Sequence, residues 1–186
     1  DNEVSSGYVQ LKLDWINDGF PGRVDALQIT QSRSAAKSCS NAHQEGDSVT
    51  VNQGSESTQA TVEKLGSGIA ILVEVGVSIP LTTLNDIATT WDNTIEPTVT
   101  NYFGSIPDID DTCTVELLIL AIDGGGGIGG YFNPGLSSSR EIIFMDSDDL
   151  SWRNTIISHE FAHLLHSARD PGAVSYTHLT LPTMEL

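Results

Sequence analysis

A chain of 186 residues with 39% apolar side chains is long enough for one domain, or one domain plus a further piece, around a real core. A formal net charge of −17, with only 8 lysines and arginines, argues against nucleic-acid binding, because no basic patch is expected to neutralise phosphates. The same charge argues against an anionic membrane surface and suits a protein working outside the cell, and no run of about 18 apolar residues offers a spanning helix.

The chain opens on Asp1 with no charged and apolar leader ahead of it. Either a leader has been removed or the sequence is a piece of a longer protein. Residues 1–60 are rich in Ser, Thr, Asn and Gln. Stretches such as "YVQLKLDW" (Tyr8 to Trp15) alternate and predict strands with one wet face, so 1–60 is expected to form a β-rich segment. The two cysteines, Cys39 and Cys113, match no metal spacing; a disulfide and a pair of buried thiols are both open readings.

From residue 61 the pattern changes. The run Ile69 to Val73 reads as a buried strand. In "PLTTLNDIATTWDNTIEP", Leu81, Leu84, Ile87, Ala88, Trp91 and Ile95 recur at three and four, which predicts an amphipathic helix starting at Pro80 and stopping at Pro97. "VELLILAID" (Val115 to Asp123) predicts a central strand covered on both faces. "GGGGIGG" (Gly124 to Gly130) follows, then a strand at "EIIFMD" (Glu141 to Asp146). A second long helix begins near Asp149 or Ser151, either of which could be its N-cap. This order indicates an α/β or α+β sheet domain over about 61–172.

The second helix carries the chemistry. On a wheel of about 100° per residue, Ile157, Phe161, Leu164, Leu165 and Ala168 form one apolar stripe. His159, His163 and His166 lie on the opposite face, with Glu160 at its flank. His159 and His163 are one turn apart, about 6 Å in rise, so both imidazoles can reach one zinc ion. Glu160 is placed to act as general base on an activated water. "HEFAH" is therefore read as an H-E-x-x-H metallopeptidase site. A third ligand is not apparent. His166 sits about 10.5 Å along the axis from His159 and is expected to line the cleft. Asp170, before a turn at Pro171-Gly172, is an alternative. The pattern H-E-x-x-H-x-x-G-x-x-H fails, because His166 and Arg169 occupy its glycine and last histidine positions.

The segments "DNTIEPTVTNYFGSIPDID", "LLILAIDGGGGIGGYFNP", "SREIIFMD" and "TIISHEFAHLLH", about half the chain, resemble the hyicolysin-type zinc metallopeptidases (peptidase family M30), secreted bacterial enzymes. The resemblance implies an α+β, thermolysin-like (zincin) half-domain, a mixed sheet with an active-site helix, over 61–172. It also implies a protein or peptide substrate, zinc held by His159 and His163, and Glu160 as base. The third ligand of that family would be a glutamate on a later helix, in a Trp-x-x-Glu-Gly-like segment that this chain lacks. The implied activity is endopeptidase, with a C-terminally truncated chain weakly active or inactive. The rival reading is a non-catalytic extracellular adhesion or binding module that keeps the fold, against which an intact Glu160 argues.

Residues 173–186 read as a non-native tail: "VSYTHLTLPT" looks like translated sequencing adapter, so Glu185 is not expected to be a ligand despite its spacing. The glycine run lacks the Lys-Ser/Thr of a phosphate loop and opens no helix, leaving a flexible connection or a cleft rim. "DIDDTCTVE" (Asp108 to Glu116) lacks the glycine and glutamate of a calcium loop and reads as a solvated acidic turn, although a calcium-stabilised module is a further alternative. Tyr131 reads as a packed aromatic rather than an oxyanion donor.

Overall fold

A computed structural model describes residues 39–124 and 126–169. The strands expected before residue 38, Asp170 and the tail with Glu185 lie outside them. The described part is α+β, a curled mixed sheet with two helical arms. Its strands are β1 (Ser48–Gln53), β2 (Glu56–Leu65), β3 (Ile69–Glu74), β4 (Val115–Leu120), β5 (Gly130–Phe132) and β6 (Ile142–Asp146). The sheet order is β1-β2-β3-β4-β6-β5. The pairs β3/β4 and β4/β6 are parallel and the others antiparallel.

The parallel strands are largely apolar and buried on both faces, as the sequence predicts for β4, and strands also form where it predicts β3 and β6. Alternation along them sorts the core into two layers. Ile69, Ile71, Val73, Leu117, Ile119, Ile143 and Met145 face the helices. Ala70, Leu72, Leu118, Leu120, Ile142 and Phe144 face the other way, where no helix lies among the described residues, and meet Val51, Ala60 and Val62 of β1 and β2. The curl of the sheet makes this second layer possible. At one end Gln53 of β1 hydrogen-bonds the Tyr131 hydroxyl (2.9 Å) and Asn133 (3.1 Å) beside β5, so the two edge strands approach each other. Tyr131 stacks on Phe144 with ring centroids 4.5 Å apart; it is a packed aromatic within this layer.

The boundary expected between residues 60 and 61 falls inside β2. β1 and β2 belong to the same sheet as β3, and their polar composition comes from their wet outer positions. The first helix also differs from expectation. It runs as α1 (Leu81–Thr90), a π turn (Trp91–Ile95) and α2 (Glu96–Phe103), and Pro97 does not stop it. The Glu96 N–H bonds back to Trp91 O, five residues earlier, and this wider turn accommodates the proline ring. Trp91, fully buried in the π turn, packs on Phe161 at 4.5 Å between ring centroids and donates from Nε1 to Glu96 (3.0 Å).

The last helix, α3 (Arg153–Arg169), follows a short 3-10 turn at Leu150–Trp152. Asp149 precedes that turn but makes no side-chain cap. Among the described residues no helix is long and apolar enough to cross a membrane. Cys39 and Cys113 are bridged, which is compatible with an extracellular protein.

A carboxylate sits in the central strand at the other end of the curl. Glu116 of β4 is fully buried and accepts from Arg140 Nε (2.6 Å), from Arg140 Nη2, and pairs with His43 Nε2 (2.8 Å). Burial pushes its pKa up, but the His43 and Arg140 hydrogen bonds prevail and hold it below the usual range. Sequence patterning missed this cluster, since its members are far apart in the chain and Glu116 occupies a position that reads as apolar strand.

Candidate metal centre

α3 packs its apolar side on the sheet through Ile156, Ile157, Phe161, Leu164 and Leu165. The predicted stripe is off at its end, where Ala168 is exposed and Ser167 buried. Glu160, expected on the wet flank, is buried. The short strand β5, absent from the predicted elements, lies against α3 and covers that flank.

Glycines let β5 sit there. A Cβ on Gly130 would lie 2.5 Å from Ile156 Cγ2 and 2.6 Å from Phe144 O. The Asp123 carboxylate shapes the loop leading into β5, accepting the Gly126 N–H (2.8 Å) and the Ile128 N–H (3.0 Å). The glycine run is thus a clamped loop that ends in the strand bordering the site.

His159 and His163 converge. Their Nε2 atoms are 2.8 Å apart, with ring planes at 80°. Two nitrogens bound to one tetrahedral zinc at about 2.0–2.1 Å lie about 3.3–3.4 Å from each other, so a small opening of the rings would admit the ion. Burial lowers the pKa of His159. It lowers that of His163 to about 4, helped by the charges of His159 and His166. Both are neutral at pH 7, the protonation state a metal requires. Burial raises Glu160 to about 7, opposed by a hydrogen bond from the Phe132 backbone N–H. A carboxyl with that pKa is suited to proton transfer near neutrality.

His166 is half-buried one turn further on, its ring 6.5 Å from that of Phe103. Among the described residues no third His, Cys, Asp or Glu brings a ligand atom beside those of His159 and His163. The residues present fit two ligands of a zinc site and its neighbouring base.

A second cluster lies elsewhere. Ligand oxygens of Asp108, Asp110 and Glu141 lie within 4.8 Å of one another. Glu141 is buried and accepts the Ile109 N–H (3.0 Å). Burial raises its pKa, against that N–H and with the charges of Asp110 and Asp108. The acidic turn is therefore not wholly solvated, because a buried residue distant in sequence, just before β6, completes it. An all-oxygen set of this kind favours a hard cation over zinc.

No family model and no curated protein matches the chain. The functional reading rests on this geometry and on the motif resemblance.

Proposed function

We propose that the chain is a zinc-dependent endopeptidase domain of the thermolysin-like, hyicolysin-type kind, acting outside the cell on protein or peptide substrates. The observation that carries the reading is the convergence of the His159 and His163 Nε2 atoms at 2.8 Å, with the Glu160 carboxyl one residue away beneath β5.

His159 and His163 would hold zinc, which when bound supplies Lewis acidity toward the scissile carbonyl and its attacking water. Glu160 takes the proton from that water at a carboxylate oxygen and delivers it to the leaving amine nitrogen. The Phe132 N–H favours the ionised carboxylate, and β5 screens it from bulk water. A non-catalytic binding module has no use for a base placed in this way.

The test is a zinc titration by calorimetry on the full chain. Wild type and Glu160→Gln should each bind one equivalent, and His159→Ala and His163→Ala should lose it. Undiminished binding in both histidine variants would remove the basis of the reading.

A further inference from the structure

Residues 39–47 precede β1 and lie across the loop that leads into β4. The Cys39–Cys113 disulfide fastens one end, with Cα atoms 5.6 Å apart. Next to it the Ser40 N–H donates to the Asp111 carboxylate (3.1 Å) and the Asn41 N–H to Asp111 O (3.1 Å). Asn41 Nδ2 donates to Asp110 O (2.7 Å), and His43 pairs with Glu116. The far end is held to β2 by Gly46 N–H to Val62 O (2.8 Å) and Val62 N–H to Asp47 O (2.9 Å).

This segment contributes no side chain to either apolar layer of the core. All its residues except Cys39 and His43 are exposed. Glu45 adds an ion pair with Lys64 (2.7 Å) and accepts the Leu65 N–H (3.1 Å), so the disulfide and polar contacts alone hold the segment. With no apolar anchor it belongs to the low-stability part of the molecule, whereas β4 is buried throughout. Asn41 and His43 wall an open surface pocket of about 380 Å³ whose other lining residues include Thr112, Glu116 and Arg140. The loop beneath carries two non-glycine residues in the left-handed region, Asp111 and Cys113, each at φ 60°. Their backbone strain is sustained by the bridge and by the Cys113 N–H to Asp108 hydrogen bond (3.0 Å).

We propose that residues 39–47 are a redox-released strap. Reduction of Cys39–Cys113 by a dithiol frees the strap and uncovers the Glu116 carboxylate while the sheet stays folded. In the exchange a thiolate of the dithiol attacks the partly exposed bridge, and its second thiol resolves the mixed disulfide. The S–S bond breaks, Cys39 and Cys113 become thiols, and the dithiol leaves as its own disulfide, so two electrons and two protons pass to the protein. The withdrawn His43 leaves Glu116 with Arg140, and Asp110 is the other charged group facing the vacated place.

Hydrogen–deuterium exchange on the full chain, before and after dithiothreitol, tests this. Exchange across 39–47 should quicken at least tenfold on reduction, while 115–120 and 142–146 stay protected over the same labelling time. Cys39→Ser should reproduce the released state without reductant, and His43→Gln with the bridge intact should keep the Ser40 and Asn41 amides protected. Unchanged exchange on reduction, loss of protection throughout the sheet, or release by His43→Gln alone would each overturn the proposal.

Discussion

The backbone N–H of Phe132, in the edge strand β5, faces the carboxyl of Glu160 on α3 and lowers its pKa against the rise that burial imposes. One strand of three residues thus touches the candidate base directly, and its position depends on how closely it can approach the helix. Gly130→Ala tests that approach. Its Cβ would meet Phe144 O, a backbone atom that cannot swing aside, as well as Ile156. The expected cost is about 1–3 kcal/mol, read as a lower denaturant midpoint. A fully stable Gly130→Ala would show that β5 is not held by this contact.

Glu160 makes stability depend on pH in a definite direction. Its folded pKa, about 7, lies above the ordinary carboxyl value of 4.5. The folded state therefore binds more protons between those values, and stability is lost as pH rises from 4.5 through 7. Glu160→Gln removes that loss. In metal-free protein it should raise the melting temperature at pH 8 and change it little at pH 4.5. An equal effect at both pH values would contradict the assignment.

The histidine pair acts in the opposite sense. The pKa of His163 falls from 6.5 unfolded to about 4 folded, and that of His159 is also lowered. The unfolded chain takes up protons first, so stability is lost as pH falls from 6.5 toward 4. His163→Gln should flatten the acid limb of a melting-temperature profile over that window, and proton NMR titration of the imidazoles should show no protonation of His163 near pH 6. An ordinary histidine titration there would contradict the burial argument.

Arg140 holds the charge of Glu116, a fully buried carboxylate. Arg140→Ala leaves that charge with His43 alone. Breaking one partner from a buried pair costs about 3–5 kcal/mol, a large drop in urea midpoint. Glu116→Gln with Arg140→Met should recover part of the loss, because it removes both charges. No recovery would mean that side-chain packing, not charge, sets the effect.

Much of this arrangement is legible in the sequence. Dense apolar runs mark β3, β4 and β6, and the spacing of His159 and His163 places both rings on one side of α3. What escaped is tertiary. β5 is three residues at the end of a glycine run, too short to show a period, and only its contact with α3 makes Glu160 buried. Pro97 reads as a stop because the π turn that tolerates it leaves no local signature. Glu141 joins Asp108 and Asp110 across 30 residues of chain, and Glu116 finds its partners at positions 43 and 140; neither association has a spacing to detect. The polar faces of β1 and β2 resemble a separate segment because a curled sheet leaves its outer side wet.

The most direct measurement is X-ray absorption at the zinc edge on the full chain loaded with one equivalent of zinc. The account predicts two imidazole nitrogens at about 2.0–2.1 Å, with lighter oxygen neighbours completing the shell. His159→Ala and His163→Ala should each remove that imidazole signature. A shell of oxygen alone, as Asp108, Asp110 and Glu141 would give, or the same imidazole scattering in both variants, would contradict it.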